Sequence, residues 1–539
     1  MARPTVGSDG RDRRWRARRR PVGEDGAPVA ADASAHRPPA LGVDVAAVLD
    51  LLGGVLRWLG LPFLAPAAVA AFAGEAVWPW LVGAMATSGA GVTLDRFTPA
   101  RRADRIGTRE GFLVVALTWL VVPAFAAVPF VLVGQAPLAA PIDAYFEAMS
   151  GFTATGATVV PAVEQLDEAT LVWRQLTHWL GGMGIIILAI AVLPRLRVGG
   201  RRLLQSELAG PTETEHLDAT IRATARRLWS LYVGLTLVAT LALAAVGWLG
   251  LDPAMSLWQA FAHASSAMAL GGFSPQGESV AAFAPVSQWL IWLVMVVAGV
   301  NFLRLFRLLV QRRVREVARD DEVRLYAGFL AVATALLLVE LLTGDLASGE
   351  GALRAAAFQA ASIMTTTGFA TADYTTWGPL ATMTLLLLMF VGASAGSTGG
   401  SIKVKRHLIL FRMIRRDLAQ AAHRDVVVPV RVGGYVVDEQ ALRATVMFVL
   451  LYLLVFAFGA LGLVIDAERS GAELTSFEAI GAAAACIGNV GPAFGAAGPL
   501  GSYADFSNLS TAILTALMWL GRVEIIPIAV LATRSFWRP

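Results

Sequence analysis

From residue 111 onward, long apolar spans alternate with shorter mixed segments in a fixed order. The spans fall into four pairs: 111–134 with 172–195, 228–250 with 287–310, 325–344 with 380–413, and 440–465 with 509–533. The first span has no charged residue. A helix of about 20 apolar residues crosses the roughly 30 Å hydrocarbon core of a bilayer. Within each pair lies a short apolar helix followed by a strip of small or hydroxylic residues. The pattern therefore predicts an all-α polytopic membrane protein built from four units of span, short helix, strip and span. Two further apolar stretches, 44–73 and 77–94, precede the repeats, and Pro62 and Pro66 break the first of them.

The strips are Gly151-Phe152-Thr153-Ala154-Thr155-Gly156-Ala157-Thr158, Ala267-Met268-Ala269-Leu270-Gly271-Gly272-Phe273, Met364-Thr365-Thr366-Thr367-Gly368-Phe369 and Cys486-Ile487-Gly488-Asn489-Val490-Gly491-Pro492. Each is read as closing on one glycine: Gly156, Gly271, Gly368 and Gly491. Non-helical backbone at membrane depth is tolerated only where it is buried in protein or lines a watery cavity. A bare cation needs such carbonyl oxygens to replace its hydration shell. Glycine admits positive φ, which lets successive carbonyls point the same way. Four strips around one axis make a filter. Its expected carbonyls come from Ala154, Thr155, Gly156 and Ala157, from Ala269, Leu270, Gly271 and Gly272, from Thr366, Thr367, Gly368 and Phe369, and from Asn489, Val490, Gly491 and Pro492.

The short helices carry start signals. Asp252-Pro253 reads as a cap followed by proline at the first helical position, and Asp143 and Thr475-Ser476 as caps of the first and fourth. Phe146, Phe261 and Phe358 each stand ten residues before the expected glycine, a register the fourth repeat breaks. The negative end of each helix dipole then faces the strip.

Composition agrees with a membrane protein: 539 residues, 56% hydrophobic and only 16% charged. A single cysteine excludes a disulfide scaffold, and the six histidines are scattered. Charge is more informative by position. Arginine-rich residues 11–20 lie in a polar arm, read as disordered and positively anchored to the inner face. The 94–110, 195–227, 304–324 and 403–424 connections, with the C-terminus, hold most of the other basic residues. The strip-bearing segments are acidic or neutral, with Arg174, Arg354 and Arg469 as the main exceptions. Both termini are therefore expected in the cytoplasm of a bacterial plasma membrane, with a carboxylate-rimmed mouth outside. The expected divisions are an arm at 1–43, leading helices and basic loop at 44–110, and repeats at 111–200, 201–324, 325–424 and 425–539.

Several unlinked motifs, in order, resemble the Trk/Ktr/HKT superfamily of potassium transporters. The 151–156 strip is similar to its first filter, followed by Trp179-Leu180-Gly181-Gly182-Met183-Gly184-Ile185-Ile186. Ala269 to Ser274 and Thr365 to Phe369 resemble the second and third filters. Ala395-Gly396-Ser397-Thr398-Gly399-Gly400-Ser401-Ile402-Lys403 and Leu520-Gly521-Arg522-Val523-Glu524-Ile525 complete the match. The resemblance runs from about residue 45 to the end, and the two leading helices bring it nearest to the bacterial TrkH branch. It implies four M1-P-M2 repeats around a pseudo-fourfold pore, K+ as the transported ion, a homodimer, and a cytosolic nucleotide-binding TrkA-type partner. No nucleic acid is expected as a partner. Ala154 stands where the family often has threonine, and Leu270 and Val490 vary the second and fourth strips. A serine at the first filter glycine accompanies sodium passage in this superfamily, so Gly156 points away from a sodium-permeable relative.

Gly392, Gly396, Ser397, Thr398, Gly399 and Gly400 interrupt an apolar span. Glycine costs roughly 1 kcal/mol relative to alanine inside a helix, so this stretch is expected as a loop at membrane depth below the filter, and the resemblance implies that it is a movable gate. Close helix packing through small residues is the competing reading. Arg522, deep in the last span, is read either as a pore-facing barrier or as one half of a structural ion pair. Glu147 is a mouth charge or a buried arginine partner. His178 and His263 are packing residues. Lys403, Lys405 and Arg406 are interfacial. No intramembrane His-Glu-x-x-His, paired aspartates or Gly-x-Ser-x-Gly points to an enzyme, and fourfold repetition counts against a two-repeat solute transporter.

Overall fold

The computed structural model describes residues 43–97, 107–191, 217–423 and 426–538. The basic arm, most of the first basic loop and most of the 195–227 connection lie outside the described residues. What is described is mostly helical, with almost no strand: one short hairpin pairs Arg431–Val432 with Tyr435–Val436. Among the described residues, five helices are long and apolar enough to cross a membrane, or six spans where one bent pair is counted as one.

The leading helices are Val45–Leu59, continued past a short 3-10 turn by Leu64–Ala73, and Trp78–Phe97. The break coincides with Pro62. Gly53 and Gly91 bring the two spans together: a methyl group added at Gly91 would press on the backbone of Gly53 and Arg57. Small residues give apolar helices this close approach in a membrane.

Four repeats follow. Their first spans are Thr108–Val133, Leu217–Trp248, Asp321–Thr343 and Glu439–Ser470. Their short helices are Pro141–Phe152, Leu257–Ala269, Gly349–Met364 and Ser476–Gly488. Thr475 caps the fourth as expected, in a reciprocal capping box with Glu478. The second short helix is capped by Ser256, not Asp252. Asp252 instead accepts the Ala284 N–H at 2.9 Å and the Ser287 hydroxyl at 2.6 Å, where the next span begins. The first short helix starts on Pro141, with Asp143 in its first turn rather than at the cap.

Asp252 is one example of a shared device. Asp466 accepts from Ser510 N and the Ser507 and Ser510 hydroxyls at the start of Asn508–Arg522. Glu75, from the leading helices, accepts from Glu168 N and Ala169 N at the start of Glu168–Ala191. A carboxylate at a helix N-terminus satisfies orphan N–H groups and complements the dipole. The charge pattern places Asp252 and Asp466 in the acidic segments of a charged mouth. Burial as caps is what the fold makes of Asp252 and Asp466, which are 2% and 1% exposed.

Three second spans are broken: the break in repeat three falls at the glycine-rich interruption expected from the sequence, and those in repeats two and four replace the continuous helices the hydropathy pattern predicts. In repeat two, Pro285–Ala298 and Phe302–Leu309 meet at 108° across Gly299-Val300-Asn301. In repeat three, Pro379–Leu388 ends well before Val404–Ala422 begins. In repeat four, Asn508–Arg522 breaks before Ile526–Leu531, with Glu524 and Ile525 at φ of 65° and 50°.

Candidate functional site

All four short helices end in the same way. Ala154, Leu270, Thr366 and Asn489 adopt left-handed backbone, with φ between 51° and 63°. Their N–H groups bond back to the carbonyl three residues earlier. The next residues, Thr155, Gly271, Thr367 and Val490, donate to Ser150, Ser266, Ser362 and Ala485 O at 2.8–3.0 Å. Two residues past the left-handed position stand Gly156, Gly272, Gly368 and Gly491, all with positive φ. The repeat glycine of strip two is therefore Gly272, not Gly271. Phe261 falls out of register for the same reason. Phe146 and Phe358 are buried, Phe261 is half-exposed, and its place is taken by Ala262.

Because the N–H groups are spent on the helix ends, the carbonyls are left over. Among the described residues, no N–H or O–H donor is directed at the carbonyls of Ala154, Thr155 and Gly156, of Leu270, Gly271 and Gly272, of Thr366, Thr367 and Gly368, or of Asn489 and Val490. Phe369 O is set apart, accepting the Ser362 hydroxyl at 2.5 Å, and Gly491 O accepts the Tyr503 hydroxyl at 2.7 Å.

The strips close into a ring. A side chain at Gly156 would strike Gly271 O, one at Gly272 would strike Thr367 O, and one at Gly368 would strike Val490 O. One at Gly491 would lie 2.5 Å from Thr155 O, which returns to the first strip. An open cavity faces this ring, lined by Gly156, Gly272, Gly368 and Pro492 with Thr158, Ser274 and Tyr503. None of its lining residues is acidic, and Arg174 is among them. The carboxylates are therefore set back from the cavity wall: Glu164 stands behind it, accepting the N–H of the lining residue Gly277. Glu147 is the buried partner of Arg174, at 2.7 Å.

Side chains brace the strips from behind. The Thr153 and Thr155 hydroxyls are 2.6 Å apart, and the Thr365 and Thr367 hydroxyls 2.7 Å. Gly271 lacks such a hydroxyl, and the His178 ring occupies that space, accepting the Phe273 N–H at 3.3 Å and stacking on the Phe273 ring. The Asn489 amide donates to Thr155 Oγ1 at 3.0 Å and Met518 O at 2.9 Å. His263 bonds Gln259 O and Ser274 Oγ. Both histidines thus pack and hydrogen-bond.

Beyond the strips, on the side away from the cavity, lies the glycine-rich loop. The Gly400 N–H donates to Thr366 Oγ1 at 2.8 Å, and Thr398 Oγ1 to Met268 O at 3.2 Å. An added Cβ at Gly400 would come within 2.5 Å of Gly488 O. The loop is also tied to the bend of repeat two. Ser394 N donates to Gly299 O, Phe302 N to Gly396 O, and Asn301 Nδ2 to Ala395 O at 2.5 Å. Glu322 accepts the Ala395 N–H at 2.6 Å while paired to Arg304. Asn301 and Glu322 escape a sequence reading. Their only signal is the Gly299-Val300-Asn301 interruption of an apolar run.

Arg522 joins the loop to repeat one. Its guanidinium donates to Thr398 O at 2.8 Å and Gly181 O at 3.1 Å, and faces the Trp119 ring at 5.5 Å. Among the described residues no carboxylate is paired with it, so its observed role is carbonyl bridging rather than an ion pair. The ion pair lies nearby: Glu524 holds Lys403 at 3.3 Å and Arg406 at 2.6 Å.

Comparison with known proteins shows the family. The TrkH family, described as a cation transport protein, matches residues 84–538. The chain belongs to the TrkH family. A TrkH relative from Halomonas elongata, a Trk system potassium uptake protein, is 35% identical over 495 residues, covering 91% of this chain and 99% of that one. Its counterpart in Escherichia coli is 33% identical over 482 residues, covering 87% and 96%. The crystal structure of the potassium transporter TrkH from Vibrio parahaemolyticus superposes with a TM-score of 0.81 at 30% identity, over 92% of this chain and all of that one. The chain is accordingly a multi-pass membrane protein of a TrkH transport family, not an enzyme.

Proposed function

We propose that this chain carries K+ across the bacterial plasma membrane, stripping the ion of water on the backbone carbonyls of the four strips. The observation that carries the reading is the closed ring, in which each strip's glycine lies against the next strip's carbonyl. Carbonyls without protein donors are the groups that replace a cation's hydration shell. The names of the relatives, potassium uptake proteins, support the choice of ion. Glycine at all four ring positions supports K+ over Na+.

The 392–400 loop is the gate, with Arg522 as both its latch and a positive barrier on the conduction path. Both termini face the cytoplasm, in keeping with the basic character of the connections on that side. The working unit is a homodimer joined by a cytosolic nucleotide-binding TrkA-type subunit, whose contact reaches the gate through Val404–Ala422. Restoration of rubidium tracer uptake in potassium-starved cells lacking their own uptake systems tests the reading. Uptake that K+ competes away, and Na+ does not, is the expected result.

A further inference from the structure

The register of the strips places residues from the four short helices in equivalent positions. Seven residues before each left-handed residue stand Glu147, His263, Gln359 and Ala482. Four residues after it stand Thr158, Ser274, Ala370 and Ala493. In repeat two the pair is bridged by a neutral bond, His263 Nε2 to Ser274 Oγ at 3.0 Å. In repeat one the same position holds a carboxylate. Glu147 accepts the Thr158 hydroxyl at 3.0 and 3.1 Å and the Val159 N–H at 3.1 Å.

Arg174 completes an arrangement found in repeat one. Its Nε bonds Glu147 at 2.7 Å, its Nη2 reaches Thr158 Oγ1 at 3.2 Å and its Nη1 reaches Ser274 O at 3.5 Å. The guanidinium carbon lies 4.1 Å from the centre of the Phe273 ring. One side chain thus touches the outer ends of strips one and two. A planar fork of five donors is suited to that task in a way an ammonium is not. The pair is 0% and 1% exposed, yet Arg174 borders the cavity in front of the ring.

Burial of an ion pair is a poor way to stabilise a fold, since desolvation offsets much of the attraction. The sibling repeats form the same strip with histidine, glutamine or alanine at that position. The charge is therefore not what the strip needs in order to fold. We infer that Arg174 and Glu147 are positioning residues that clamp the outer ends of strips one and two, setting ion preference while Glu147 cancels the arginine's charge at the mouth. This rests on the conduction reading above.

The test compares purified, reconstituted full-length variants by rubidium flux, Rb+/Na+ preference and melting temperature. Glu147→Gln leaves Arg174 uncompensated beside the cavity. The half-saturating Rb+ concentration should rise about tenfold, with a smaller change in maximal flux. Glu147→Gln with Arg174→Gln removes both charges and the fork. It should return half-saturation towards the parent value while lowering Rb+/Na+ preference about fivefold. Thr158→Val, a milder change, should lower preference without moving half-saturation, and it reads the clamp if the charge variants fail to fold. Folded variants with parental half-saturation and preference would overturn the proposal and leave the pair as packing. A parent chain without rubidium flux would overturn the conduction reading instead.

Discussion

Gly491 lies against the carbonyl of Thr155, so the last strip of the chain closes on the first; an added Cβ would come to 2.5 Å from that oxygen. The contact turns four sequence-distant segments into one ring. It also gives each ring glycine two duties: a backbone angle that L side chains rarely adopt, and space for a neighbour's carbonyl.

Gly156→Ser should raise Na+ permeability relative to K+. The serine side chain would meet Gly271 O and push it out of the ring. Reversal potentials under bi-ionic conditions measure the ratio. An unchanged ratio would remove Gly156 from the filter.

The two adjacent glycines of strip two should behave differently. Gly272→Ala, at φ of 83°, should perturb selectivity as Gly156→Ser does. Gly271→Ala meets the His178 ring instead. The defect of Gly271→Ala should be relieved by adding His178→Ala, and that of Gly272→Ala should not. Equal rescue of both would contradict the register assigned here.

Deletion of Gly396 to Gly400 should raise flux and retain ion preference. The segment touches the ends of the short helices through Gly400 N and Thr398 Oγ1 but contributes none of the ring carbonyls. Lower flux from a folded deletion protein would contradict a gate.

Arg522→Ala should raise flux per folded molecule about tenfold, which corresponds to roughly 1.4 kcal/mol of barrier. The change frees Thr398 O and Gly181 O and removes a charge that persists even when buried. Loss of neutral acceptors costs far less than the about 3–5 kcal/mol of a broken buried ion pair. Melting temperature should therefore fall only slightly. A large fall together with lower flux would mean that Arg522 holds the fold rather than the gate.

The repeats were legible in the sequence because two requirements leave marks on it. A spanning helix must be long and apolar, and irregular backbone between spans must be small or hydroxylic. The register of strip two was not legible, since Gly271-Gly272 offers two glycines and only φ distinguishes them. The breaks in repeats two and four were hidden as well. At Glu524 the chain turns where the carboxylate meets Lys403 and Arg406 from repeat three, a tertiary contact with no local sign. Asp252 and Asp466 read as mouth charges because sequence gives their charge but not their burial. The roles of Asn301 and Glu322 depend on a loop about 75 to 95 residues away and appear only once the chain is folded.

The central claim is that the ring of backbone carbonyls selects K+. The most direct measurement is ion replacement on the purified chain in liposomes, with and without a cytosolic partner, read as the relative permeabilities of K+, Rb+ and Na+. K+ and Rb+ should pass nearly equally, with Na+ well below both. Equal passage of Na+ and K+ by protein whose ring glycines are intact would contradict it.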